Sequence, residues 1–221
     1  MVSDFFSVES DGYSEIRDLY QLIWQPLLTM HPSWWQKLEL DQWQDRYQQG
    51  TILGNRIEKL VVTRRGIINE SLPKNITQQQ KQLLNSRSRM PELTSILGIF
   101  CLNCPEYLSL KSFRKELEEL ISPEQIQQAW ALWPQRPTKG FSHVFEGVTP
   151  ELLISTSQKI AIALLSSDQS LNDNVIWKAV SMTLPIDDFA QESDELKEFI
   201  EKLKQESFEI QRWLIRLERL L

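Results

Sequence analysis

Apolar positions recur along most of this chain at the three-and-four spacing of an amphipathic helix, and the clearest block runs from Met90 to Pro134. Pro91 suits a first helical position, and Leu93, Ile96, Leu97, Phe100 and Cys101 then share one stripe. After a break at Asn103 to Pro105, Leu108, Leu110, Phe113, Leu117, Leu120 and Ile121 repeat the pattern. Lys111, Arg114, Lys115, Glu116, Glu118 and Glu119 form the wet side of that second helix. Ser122 predicts an N-cap, with Pro123 in the first turn and Gln125 placed to complete a capping box. The third helix is expected to run to Trp133 and stop at Pro134. Three such stripes cannot bury one another fully, so flanking segments must pack on them.

Upstream, Ser14 and Glu15 open a helix whose stripe is Ile16, Leu19, Tyr20, Ile23, Trp24 and Leu27, with Pro26 placed to kink or end it. Pro32 breaks any continuation and Ser33 can cap a new helix, so His31 to Trp35 reads as a turn. Trp43, Tyr47, Ile52, Leu53, Ile57, Leu60, Val61 and Val62 continue an apolar pattern, but Gly50 and Gly54 argue against one unbroken helix. Leu60 to Ile68 could be a strand, and Asn69 to Gln82 reads as a flexible loop. Between Gln36 and Arg89 basic residues outnumber acidic ones, which reads first as a solvated surface and second as a site for an acidic partner.

Downstream, Pro134 to Pro150 is rich in turn residues and is the best candidate for a linker. Thr149-Pro150 restarts a helix through Leu152 to Leu165. Within Ser170 to Pro185, Val175, Ile176, Trp177, Val180, Met182 and Leu184 fit a short helix or a strand. Leu196, Ile200, Leu203, Ser207, Ile210, Leu214, Leu217 and Leu221 alternate by four and three, the heptad seam of a helix packing on another helix. A continuous helix from Ser193 to the end would extend about 40 Å, more than a small core needs. The class is therefore mainly α: one irregular helical domain over residues 1–221 with a long C-terminal helix. A short strand pair, Leu60 to Ile68 with Val180 to Leu184, stays open, as do two lobes, 1–134 and 150–221, joined by the loop 135–149.

Composition adds limits rather than a function. Seven glycines and abundant Leu, Gln, Glu and Lys favour helices over sandwiches or barrels. The net charge of −6 argues against a nucleic-acid partner, since phosphate binding needs a concentrated positive surface. Neither a signal peptide nor an apolar run of about 18 residues is present, so a cytosolic protein without membrane insertion is expected. Of eight tryptophans, Trp24, Trp34, Trp35 and Trp43 lie close together near the start, and core filling is their first reading, an exposed binding patch the second.

Few residues carry a signature of chemistry. Cys101 and Cys104 form CxxC, but inside an apolar stripe, and with His31 and His143 far apart no zinc spacing exists. His31 reads as a packed, hydrogen-bonded turn residue, and His143 lacks a nucleophile with a local signature. No P-loop or dinucleotide fingerprint occurs. These absences favour a binding or scaffold protein with no cofactor. A small enzyme or regulatory binding protein with a site near His31 or His143 is the alternative.

Three features together resemble the SctK/YscK family, the accessory component of the cytoplasmic sorting platform of bacterial type III secretion systems. They are His31-Pro32-Ser33-Trp34, the central helix with Leu97-Gly98 leading to helices that end at Trp133-Pro134, and Trp177 followed by Leu184-Pro185 before a closing helix. The glutamine-rich Gln78 to Gln82 segment and the heptad-like tail do not map onto the family pattern. The resemblance implies a non-enzymatic cytosolic adaptor between the pod protein of the platform and the cytoplasmic domain of the inner-membrane ring, held at the inner membrane only through that complex. For partner contact the expected residues are Ile210, Trp213, Leu214 and Leu217 in the tail, with Trp34 and Trp35 at the early turn.

Overall fold

The computed structural model describes residues 17–67, 76–168, 171, 174–186, 192–206 and 208–221. The expected cap at Ser14, and Ile68, Asn69 to Lys74, Ser170 and Ser207, lie outside them. In chain order the helices are α1 (17–24), α2 (Ser33–Lys37), α3 (Asp41–Gln44), α4 (Ile52–Arg64), α5 (Gln78–Asn85), α6 (Met90–Leu102), α7 (Glu106–Ser109), α8 (Lys111–Leu117), α9 (Pro123–Leu132), α10 (Leu153–Ser167), α11 (Val175–Ser181), α12 (Asp194–Gln205) and α13 (Ile210–Leu220). Short 3-10 turns at Pro26–Leu28, Ser86–Arg89, Trp133–Gln135 and Pro150–Leu152 lead into or out of them. The protein is mainly α, and no strand occurs among the described residues.

The chain divides into two compact units. The first takes its described residues from Met1–Arg87 and Asp173–Ile186. Here Leu60 and the valines belong to α4, and Val180 belongs to α11, so the strand pair is corrected to two helices. The three-and-four spacing of Ile57, Glu58, Val61 and Val62 places all four on the buried side of α4, and that burial outweighs the β preference of the two valines. Gly50, at φ +75°, turns the chain between α3 and α4. Gln78 to Gln82 is not a loop either: Thr77 and Gln80 form a capping box that starts α5, and Leu83 and Leu84 bury its far end.

Segment 174–186 is stitched into this unit. Asn174 caps α11 through the amides of Ile176 and Trp177, and α11 packs on α5. The Trp34 indole N–H donates to Leu184 O at 2.9 Å, and the His31 amide donates to Met182 O at 2.8 Å. The Arg65 guanidinium lies 4.9 Å from the Trp34 ring and donates to Ser181 Oγ.

The second unit takes its described residues from Ser88–Asn172 and Asp187–Leu221. Eleven of the thirteen residues of α6 are buried, so it is a central helix enclosed on all sides rather than an amphipathic one. It packs most extensively on α10, and the approach is close because Gly98 faces Ser157: a Cβ there would sit 1.8 Å from Ser157 O. The predicted second helix of the central block is two, because Leu110 is extended (ψ 136°) and separates α7 from α8. The capping box of Ser122 and Gln125 starts α9 as expected. α9 ends at Leu132, and Pro134 sits within a 3-10 turn.

Asn103 ends α6 in the left-handed region (φ 61°), and its side chain ties down the loop that follows α9. Its Nδ2 donates to Phe141 O and His143 O, and its Oδ1 accepts from Arg136 Nε. Thr138 Oγ1 donates to Phe100 O, and Tyr107 OH to Phe145 O.

The tail is not one long helix. Glu206 is extended (ψ 139°) and ends α12, and α13 restarts at Ile210, so the seam folds back within the unit. Leu196, Ile200 and Leu203 of α12 and Ile210, Leu214 and Leu217 of α13 are all buried. α12 packs on α10, while α13 packs on α6 and α10.

Candidate partner-binding surface

A groove opens on the second unit where the separate courses of α7, α8 and α9 leave a gap. Its floor is Leu108 and Ile126, its wall is Trp130, and Ser109, Arg114 and Gln127 complete a cavity of about 290 Å³. The floor residues are buried, whereas Trp130 is 44% exposed. Trp130 stacks on Trp133 (6.4 Å between centroids, 18° between planes), and Trp133 meets core Phe100 edge-on at 5.8 Å. Arg136 covers Trp133 at 4.6 Å. The exposed indole is therefore held by a ladder of rings that ends in the core.

The first unit carries a second apolar surface. Leu19, Leu22 and Ile23 face inward on α1, while Tyr20 and Trp24, one turn apart, are exposed. Leu28 in the following turn and Ile52, Leu53 and Leu60 on α4 are exposed as well, with Arg56 between the two leucines on the helix surface.

The six residues expected to meet a partner lie elsewhere. Trp34 and Trp35 are buried, the latter 6.3 Å from Tyr47, so they fill the core of the first unit. Ile210, Leu214 and Leu217 are buried in the second unit. Trp213 is half-buried, edge-on to Phe100 at 6.0 Å and covered by Arg216 at 4.5 Å. Trp130 carries no signal of its own in the sequence: it follows Ile126 by one helical turn, and spacing alone does not separate an exposed position from a buried one there.

His31 is a structural cap. Its Nδ1 accepts from the Ser33 amide (3.3 Å) and hydroxyl (2.8 Å), and the Ser33 oxygen in turn accepts from the Ile186 amide. Ser33 is thus the first residue of α2 rather than its cap. This arrangement requires the neutral imidazole, and burial lowers the His31 pKa to match. His143 is exposed in the loop, its ring 5.2 Å from Phe141. It lines a cavity with Glu146, Glu195, Glu198 and Lys202, but no group of His, Cys, Asp or Glu among the described residues could hold a metal ion.

Both cysteines are free and buried, and burial pushes each thiol up to about 12. Cys104 also donates to Glu106 Oε2 at 3.0 Å. Neither thiol should react with a disulfide reagent at pH 8 in the native protein, and both should react once it is unfolded. Rapid native labelling would show that the α6 terminus opens.

Glu58 is buried and accepts from Tyr47 OH at 2.5 Å. Burial raises its pKa, opposed by that hydrogen bond. A carboxyl raised in the folded state contributes stability below its unfolded pKa, and that contribution is lost as pH rises through the folded value. Glu58→Gln keeps an acceptor for Tyr47 and removes the buried charge, so it should melt a few degrees above wild type at pH 7.5 and converge with it at acid pH. A lower melting temperature at pH 7.5 would contradict this reading.

A family model described as a type III secretion system subunit matches residues 17–186. That span contains all of the first unit's described residues, the groove of α7 to α9, and the His31, Leu97-Gly98 and Trp177 segments. No curated protein and no solved structure matches the chain.

Proposed function

Because the chain belongs to this family of type III secretion system subunits, we propose that it is a non-enzymatic adaptor of the cytoplasmic sorting platform. In this reading it links the pod protein to the cytoplasmic domain of the inner-membrane ring. The observation that supports two partners is that each compact unit exposes large apolar side chains on helices whose other faces form its core. Tyr20, Trp24, Leu53 and Leu60 do so on the first unit, and Trp130 on the second. Exposed tyrosine and tryptophan are the residue types that most often dominate interface energetics. No described helix is long and apolar enough to cross a membrane, so attachment to the ring would run through protein contacts.

Purifying the tagged chain from cells that assemble the secretion system, and identifying what is bound, tests this directly. The pod protein and the ring component should be recovered together. Recovery of neither, from cells in which both are present, would remove the adaptor reading.

A further inference from the structure

We propose that the groove between α7, α8 and α9 receives an acidic, amphipathic segment of a partner protein, an apolar side chain filling the groove and a carboxylate pairing with Arg114. The inference rests on the adaptor reading and adds the chemistry of one of its contacts.

Two independent features carry it. The first is shape: about 290 Å³ over a floor of Leu108 and Ile126, walled by Trp130, suits one or two anchoring side chains, at the small end of what a metabolite pocket needs. An exposed tryptophan held in place from behind is also the residue type that dominates interface energetics, because little entropy is lost when a partner covers it.

The second is charge. Arg114 is half-buried at the rim, yet among the described residues its guanidinium has no hydrogen bond, ion pair or ring contact. Lys111 and Lys115 lie on the same helix and are likewise unpaired and exposed, so this surface of α8 offers three cations. Glu116 lies on the same helix and Glu118 and Glu119 at the turn after it, but none of them pairs with Arg114, and Glu106 accepts from the Cys104 thiol. A partly desolvated guanidinium beside an apolar cleft is complemented best by a planar carboxylate, which it can hold by two parallel hydrogen bonds. A helix carrying an apolar anchor and an acid one turn away presents both groups at once.

The test measures binding of the purified pod protein, and separately of the ring's cytoplasmic domain, to the wild-type full-length chain and to Arg114→Glu and Trp130→Ala. One of the two partners should lose at least about tenfold in affinity with either variant. Its binding to wild type should also weaken as salt is raised, while the other partner binds all three proteins alike. If Trp130→Ala lowers the melting temperature, Arg114→Glu decides alone, since it breaks no hydrogen bond or ion pair among the described residues. Unchanged affinity of both partners for Arg114→Glu overturns the groove proposal and leaves the adaptor reading standing. If wild type binds neither partner, both fall. Self-association of the wild type that either variant abolishes would put a second copy in the groove and equally overturn the proposal.

Discussion

Truncation after Glu209 is expected to destroy the second unit rather than trim an accessory tail. Ile210, Leu214 and Leu217 are each buried, and α13 packs on α6, the helix enclosed at the centre of that unit. Burying one such side chain contributes about 1.5–3 kcal/mol, so removing three loses roughly 5–9 kcal/mol, comparable with the whole stability of a typical domain. Trp213 would also leave the edge of Phe100, and Arg89 and Gln125 would lose the carbonyls of Glu218 and Leu221 as acceptors. The truncated chain should aggregate or lose its cooperative melt by circular dichroism. A soluble product with wild-type melting would mean that α13 is a separable arm and that the burial of its seam is not structural.

Gly98→Ala is expected to be strongly destabilising although it adds a single methyl. Its Cβ would lie 1.8 Å from Ser157 O and 2.4 Å from Ser157 C, and both are backbone atoms that no rotamer change can move. The remedy is to separate α6 from α10, which loosens contacts along their whole length. A cost of about 3 kcal/mol would lower the melting temperature by roughly 10 °C for a chain of this size. Ser157→Gly should not rescue it, because the collision is with the carbonyl rather than the hydroxyl. A wild-type melting temperature for Gly98→Ala would show that the two helices pack less closely than described.

Several local helix signals are legible in sequence where a side chain acts on its own backbone, although the Thr77 and Gln80 capping box is hidden in a polar stretch that reads as a loop. The Ser122 and Gln125 capping box, the break at Asn103 to Pro105 and the helical content itself all follow from short-range chemistry. The errors came where two readings shared one pattern. Val61 and Val62 suit a strand or a buried helix face, and only the presence of the unit's core beside Ile57 decides. The heptad spacing runs through residues 206–209 without a visible fault, although Glu206 is extended there and the seam folds back. Periodicity reports which residues want burial, not whether the burying surface is the chain's own. That is why the spacing of Ile210, Leu214 and Leu217 fits a partner contact or the chain's own bundle equally, while the structure buries all three within the second unit.

The adaptor role is most directly tested by the mass of the complex formed when the purified chain is mixed with the pod protein and the ring's cytoplasmic domain, measured by light scattering after size exclusion. One species containing all three is expected, with no complex between the other two when this chain is left out. Binding of only one partner, or a pod and ring complex that forms equally well without the chain, would contradict it.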